Sequence, residues 1–176
     1  FKIETNIQII FNNCNYGIAK ALNQGIIKAK QEGFEFVFLL DQDSIVSEKI
    51  IDILTGIYLN FQENDKIGLI GAGYTNSKTE KIDDNKSLYL FVNHLITSGS
   101  LIPVTLFEHI GLFKEEYFID FVDIEFCLRA KLNGYKIVQS KAQLMFHSIG
   151  NQSFHKFPWK TTGTSNHLPF RRYYMC

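Results

Sequence analysis

Phe34-Glu35-Phe36-Val37-Phe38-Leu39-Leu40-Asp41-Gln42-Asp43 is the stretch on which the reading of this chain turns. From Phe34 to Leu40 it is too apolar for a strand with one wet face, so the strand it predicts is buried on both faces. The apolar run then stops on two carboxylates. Upstream, Ile18, Ala21, Leu22, Gly25, Ile26 and Ala29 recur at helical spacing and predict a helix from Tyr16 to about Gln31. Asn15 would cap that helix and Gly33 would stop it. Asn6 to Phe11 reads as a strand ahead of an Asn-rich turn. Downstream, Ser47 opens a second helix to about Gln62, and Ile67 to Gly71 reads as another short buried strand. Strand, helix, strand, helix, strand predicts a parallel α/β sheet.

The second half changes character. Thr75 to Ser87 is polar and charged and reads as a loop, and Leu88–Val92 and Leu95–Ile102 read as two strands paired around Asn93-His94. Pro103 suits the first turn of a short helix that ends before Gly111. Val122 to Leu132 is helical by pattern and stops at Asn133-Gly134, and Tyr135–Val138 and Gln143–Phe146 read as short strands. One domain over residues 1–176 is expected, with a functional edge between the halves 1–92 and 93–150 and a tail at 151–176.

Composition narrows the function classes. The 176 residues are 45% hydrophobic and 20% charged, a globular balance. Eighteen Lys and Arg balance eighteen Asp and Glu, which argues against a protein built to grip nucleic acid. The longest apolar run, Phe36 to Leu40, is far below the ~20 residues of a membrane span. Cys14, Cys127 and Cys176 fit neither a disulfide framework nor a zinc pattern, so a reducing, cytoplasmic compartment is expected. With no signal-peptide pattern at Phe1 and no helix stop at Cys176, the chain reads as a piece of something longer.

Two acidic groups could carry chemistry. Asp41 and Asp43 follow the buried strand, and ligands of open α/β sheets gather at the carboxyl ends of strands. Two carboxylates there can hold a hard divalent cation and through it a diphosphate, or can simply form a turn. Asp120, Asp123 and Glu125 fall within six residues, beside Phe118, Phe121 and Phe126. Such a setting is costly for idle carboxylates. Glu125 and Arg129 are spaced for a helical ion pair, and Asp120 for capping. Asp123 is either a helix-dipole partner or, in an apolar setting that raises its pKa, a general base. Arg171-Arg172-Tyr173-Tyr174 could meet a diphosphate or an anionic lipid, but a surface edge or dimer contact accounts for it as well.

Taken in order, these stretches resemble inverting family-two glycosyltransferases of the GT-A fold, and most closely the bacterial rhamnosyltransferase branch. The resemblance rests on Asn15-Tyr16-Gly17-Ile18-Ala19, Ala21-Leu22-Asn23-Gln24-Gly25, Leu39-Leu40-Asp41-Gln42-Asp43-Ser44, Thr97-Ser98-Gly99-Ser100-Leu101-Ile102, Phe118 to Arg129, Gly134-Tyr135-Lys136-Ile137, His147-Ser148-Ile149-Gly150 and Arg171-Arg172-Tyr173-Tyr174. It implies a Rossmann-like mixed sheet with helices on both faces, lacking the family's opening strand and the acid that reads the nucleotide base. Residues 1–92 would be the nucleotide-sugar-binding half and 93–150 the acceptor and catalytic half. It also implies Mg²⁺ or Mn²⁺ as cofactor, held at Asp43 and by a late ligand at His147. His147 could equally be a strand-end histidine bonded to backbone. Asp41, Asn15, Gly17, Ser98 and Gly99 would bind the donor. Asp123 would be the catalytic base, with Asp120, Glu125 and Arg129 supporting it or the acceptor. Val122 stands where many relatives carry Glu.

The implied reaction is transfer from a nucleotide sugar, dTDP-L-rhamnose, to a saccharide or lipid-linked acceptor of a surface polysaccharide. It would run in the cytoplasm, where docking on the inner membrane face would bring the enzyme to a lipid-linked acceptor. A UDP-hexose donor is the alternative within the family. From another class, a haloacid-dehalogenase-like phosphatase would use Asp41 as nucleophile, although Ile45 stands where that family wants Thr or Val. A non-enzymatic sugar-nucleotide-binding remnant is the third reading.

Overall fold

The apolar run forms a strand that is packed on both sides, as its composition requires. In the computed structural model it is β1 (Phe36–Leu39), with Val37 and Leu39 in one core cluster and Phe36 and Phe38 against the other. The structure describes residues 7–61, 66–75 and 89–146, with the backbone of 152–157 and 160–165. Around β1 the described elements are α1 (Ile18–Gln31), β2 (Ile45–Val46), α2 (Ile50–Leu59), β3 (Ile67–Thr75), β4 (Tyr89–Phe91), β5 (Ser100–Pro103), α3 (Val104–Ile110), α4 (Val122–Leu132), β6 (Lys136–Phe146), β7 (Gln152–Phe157) and β8 (Lys160–Ser165). Leu69, Ile102 and Ile137 face a core shared with α1, α3 and α4. Their neighbours Ile70, Leu101 and Val138 face a second core shared with α2. Helices therefore cover both faces of the sheet, the mixed α/β architecture expected of a GT-A fold. None of the helices among the described residues is long and apolar enough to cross a membrane.

The strand pairing corrects the expectation of a parallel sheet. The order is β1-β5-β3-β6-β2, with β4 also on β6. Only β3 and β6 run parallel; the remaining pairs of this sheet are antiparallel. β5 separates β1 from β3 and is antiparallel to both, with Leu101 opposite Phe38 on one side and Ile70 on the other. Hydrophobic periodicity reports how a strand is buried, not which strand lies beside it. For the same reason β4 and β5 are not the expected hairpin: β4 pairs with β6, and residues 93–99 cross between them without strand structure. The two strands expected at 135–138 and 143–146 are one strand, β6, interrupted by a bulge. β7 and β8 form a separate antiparallel pair inside the stretch expected to be a tail.

The strand expected at Asn6–Phe11 is absent over its described part. Residues 7–11 are irregular, and Ile7, Ile9 and Phe11 are 73%, 69% and 86% exposed. A strand needs a neighbour to take its backbone hydrogen bonds. β1 ends the sheet path, and among the described residues no strand lies beside 7–11. Helix signals did better, because caps are local. Gly33 takes φ 78° after α1, Gly111 φ 83° after α3 and Gly134 φ 82° after α4. The second helix begins at Ile50 rather than Ser47, whose carbonyl accepts the Ile50 N–H.

The bulge in β6 makes a glycine obligatory on β3. A Cβ on Gly73 would lie 2.3 Å from the Ala142 carbonyl oxygen and 2.7 Å from that of Ser140. Gly73→Ala should therefore cost about 2–4 kcal/mol by forcing two paired backbones apart. Gly25, in the middle of α1, would meet nothing within 4 Å. Gly25→Ala should gain about 0.5–1 kcal/mol. Urea midpoints at unchanged slope measure both.

Candidate functional site

The carboxyl end of β1 is built by hydrogen bonds to a turn 57 residues away in sequence. The Asp41 N–H donates to Ser98 Oγ at 3.0 Å, and Ser98 Oγ also lies 2.9 Å from Ser44 Oγ. The Gly99 N–H donates to the Leu39 carbonyl at 2.8 Å, and the Gly99 carbonyl accepts from the Ala72 N–H at 2.9 Å. Gly99 has φ 77°, and a Cβ there would press within 2.9 Å of the Met145 thioether. Asp41, Ser98 and Gly99, grouped by resemblance as donor residues, are thus one constellation. Asp41 is half-buried at the root of the turn, and Asp43 projects from it exposed.

α4 carries the second acidic group. Its first turn holds Asp123 and Glu125, where carboxylates are favoured by the unpaired N–H groups and dipole of the helix. Glu125 accepts two hydrogen bonds from Arg129, from Nε at 2.9 Å and Nη2 at 2.8 Å. The same guanidinium donates to the carbonyls of Ile110 and Leu112, so it ties α4 to the exit of α3. Both side chains are largely buried, at 19% and 15% exposure. Their packing role is structural. The Asp123 Oδ1 accepts from the Ile124 N–H at 2.8 Å. Asp123 lines the same narrow void as Thr97 and Ser100, which brings it beside the turn that holds Asp41.

Two expectations about this segment need correction. Asp120 is not the cap of α4: the N-cap is Phe121, in the left-handed conformation at φ 66°, and it makes no side-chain cap bond. Nor are the acids sealed among aromatics. Phe118 and Phe121 are about half exposed, and only Phe126 is fully buried. Asp120 and Asp123 lie half-buried at a rim beside these exposed rings, while Glu125 is largely buried against Arg129.

The start of α1 docks on this same rim. Asn15 Oδ1 accepts the Gly17 N–H at 3.0 Å, an Asx turn rather than the expected helix cap, and the Ile18 N–H donates to the Phe118 carbonyl at 2.7 Å. A Cβ on Gly17, at φ 87°, would lie 2.4 Å from that carbonyl oxygen. Asn15 and Gly17 thus shape the approach of two segments. Asn23, quoted in the resemblance but given no role, is the residue that sequence reasoning missed. It is 2% exposed; its Nδ2 donates to the Phe113 carbonyl at 2.8 Å and its Oδ1 accepts the Phe113 N–H at 3.0 Å. Its signal was present: a polar amide between Ala19 and Ile26 on the buried face of a helix.

Asp41 and Asp43 offer hard oxygen donors of the type Mg²⁺ or Mn²⁺ takes, usually one or two carboxylates completed by substrate phosphate and water. Among the described residues no cluster of three or more His, Cys, Asp or Glu could hold a metal ion alone. Asp41 and Asp43 thus fit a cation whose remaining positions are filled by a diphosphate and water. His147 lies outside the described residues, as do Arg171 to Tyr174. Phe146, the last residue of β6, pairs with Ile45, two positions after Asp43.

Residues 1–127 match the family described as glycosyl transferase family 2. The chain is 30% identical to dTDP-rhamnosyl transferase RfbF of Shigella flexneri over 186 aligned positions, covering 96% of this chain. It spans about 60% of the length of that relative.

Two tests follow from the packing. Cys127 is buried, its Sγ 3.4 Å from the Leu95 N–H that donates to it, and burial pushes its thiol up to about 11. Peptide-resolved alkylation at pH 8 should label exposed Cys14 and spare Cys127 until the protein unfolds. Because the folded thiol holds its proton above the ordinary 9.0, this group's contribution to stability is lost as pH rises from about 9 towards 11. Arg129→Lys should lower stability by about 2–4 kcal/mol, since an ammonium cannot serve Glu125 and two carbonyls in one plane. Thermal unfolding with circular dichroism measures it.

Proposed function

The chain belongs to glycosyl transferase family 2, and from that premise we propose that it moves L-rhamnose from dTDP-rhamnose to a hydroxyl of a saccharide or lipid-linked acceptor. One observation carries the assignment of residues. The Thr97–Ser100 turn is hydrogen-bonded to Asp41 on one side and walls the void at Asp123 on the other. A donor at Asp41 and an acceptor hydroxyl at Asp123 would meet beside that turn.

Asp123 takes the proton from the acceptor hydroxyl as its oxygen bonds to the anomeric carbon. The bond from that carbon to the diphosphate breaks on the opposite side, and dTDP leaves with inverted configuration at the sugar. The Ile124 N–H, which donates to Asp123 Oδ1, holds the carboxylate, and Oδ2 is the oxygen that would meet the acceptor. Asp43, with Asp41 behind it, is the pair that would hold Mg²⁺ or Mn²⁺, which supplies positive charge to the leaving diphosphate. Small side chains at Ser98 and Gly99 let the donor approach the backbone. Asp120, beside Asp123, borders the acceptor. The RfbF relative is named for dTDP-rhamnosyl transfer, which favours that donor over a UDP-hexose. The reaction belongs in the cytoplasm, and docking at the inner membrane face would bring the enzyme to a lipid-linked acceptor.

The discriminating experiment pairs a donor panel with two variants of the full-length protein. With Mn²⁺ present, dTDP-sugars should raise Tm and UDP-sugars should not. Asp123→Asn should keep that shift while turnover falls by ~10²–10⁴-fold. Asp43→Ala should weaken donor binding by about tenfold or more, and EDTA should do the same to the unaltered protein. Wild-type transfer by Asp123→Asn would remove Asp123 from the base position, and undiminished donor binding in EDTA would remove the metal.

A further inference from the structure

Phe121 is the one residue other than glycine with a positive φ among the described residues, at φ 66° and ψ 1°. The other such positions, 17, 33, 99, 111 and 134, all carry glycine, which takes that conformation freely. An L-residue there sets its Cβ against a carbonyl oxygen, and for a bulky side chain the position is a true outlier. The backbone is held in it from both sides. Upstream, the Phe118 carbonyl accepts the Ile18 N–H at 2.7 Å. Downstream, Val122 is buried in the core and the Phe121 carbonyl accepts the Glu125 N–H at 2.9 Å. Only Ile119 and Asp120 separate these anchors, so the chain enters α4 through a left-handed turn.

The turn accounts for the φ angle but not for the phenyl ring. Glycine or asparagine would hold the same turn with less strain. Packing does not compensate for the ring either, because Phe121 is 50% exposed. Among the described residues it has no ring partner, whereas Phe107, Phe113 and Phe126 meet one another with centres 4.4 to 5.9 Å apart. Phe118, the other exposed ring of this rim, lies against the start of α1, where a Cβ on Gly17 would fall 2.8 Å from its Cδ2. Phe121 is therefore both strained and left to solvent. Strain kept at such a place is characteristic of binding and catalytic sites.

Its neighbours define what the ring could meet. Asp123 is two residues on, with its Cα at most about 7 Å away, and Asp120 is adjacent; both carboxylates are half-buried. Carboxylates accept hydrogen bonds from hydroxyl groups and repel anions. The negative face of an aromatic ring attracts the polarised C–H bonds of a sugar. A neutral pyranose satisfies both, with its hydroxyls towards the acids and its C–H face on the ring.

We propose that Phe121 is an acceptor-binding residue that selects a neutral pyranose, its ring stacked on the sugar while one hydroxyl reaches Asp123. The inference rests on the glycosyl-transfer reading above. The left-handed turn keeps the ring out of the core and available to the acceptor.

Kinetics on the full-length protein at saturating dTDP-rhamnose would use methyl and octyl pyranosides of N-acetylglucosamine, glucose, galactose and rhamnose as acceptors. For the best methyl acceptor, Phe121→Ala and Phe121→Gly should each raise KM about tenfold or more and change kcat less than about threefold. Both variants should keep the Tm shift by dTDP-rhamnose. Phe121→Tyr, which retains the ring face, should stay within about threefold of the unaltered KM. Phe121→Gly should melt about 2–4 °C above Phe121→Ala, the reverse of the usual order, because glycine alone relieves the turn. An acceptor KM unmoved by either variant, a fall in kcat at unchanged KM, or Phe121→Ala melting above Phe121→Gly would overturn the proposal. So would a loss confined to the octyl acceptors, which would put the ring against a lipid tail, or transfer to none of these pyranosides by protein that binds dTDP-rhamnose. Absence of the dTDP-rhamnose shift in the unaltered protein would instead overturn the glycosyl-transfer reading.

Discussion

The guanidinium of Arg129 is the interaction on which the placement of α4 depends. It meets Glu125 in a two-point ion pair within α4 and two main-chain carbonyls, of Ile110 and Leu112, at the exit of α3. Four acceptors in two chain segments are satisfied by one planar fork, a geometry that an ammonium cannot copy. Without it those carbonyls would lose their guanidinium donor and the largely buried Glu125 would keep only Lys114, 3.7 Å away, at a cost larger than the pair's own net gain. With it, α4 has one position, and so does Asp123 in its first turn.

Further ties hold α4 and the segment that leads into it. Asn23 carries α1 to Phe113 through a pair of buried amide bonds, and the Phe118 carbonyl receives the first N–H of α1. Cys127 binds the 93–96 segment, which leads directly into the Thr97–Ser100 turn. That turn returns to Asp41 through Ser98 and to Leu39 through Gly99. The path from one acidic group to the other therefore runs through buried polar contacts, each specific in geometry. Apolar packing sets the layers. These few hydrogen bonds set which loops face each other, because an apolar surface can slide where a buried amide cannot.

The sheet edge makes the same point from the other side. Ile7 to Phe11 has every local mark of a strand and remains irregular and exposed. β1, the best-signalled strand of all, ends the sheet with β5 as its partner on the path. Strand formation is a property of pairs, so a segment's own composition is necessary and not sufficient.

Local chemistry was legible in the residues alone. α1, α3 and α4 follow from apolar spacing closed by Gly33, Gly111 and Gly134, because helix bonds and their stops lie within a few residues of one another. The burial of β1 on both faces, the ion-pair spacing of Glu125 and Arg129 and the carboxylates after Leu40 were likewise readable, each from a window of ten residues or fewer. Tertiary structure alone decided that β5 lies between β1 and β3, that β6 is one bulged strand, and that Asp120 sits on an open rim instead of capping α4. It also decided that Ser98 would reach Asp41 and that Asn23 would reach Phe113. Those contacts join residues 57 and 90 positions apart. No local rule orders such separations; only the closing of the whole chain around two cores brings their partners within hydrogen-bond distance.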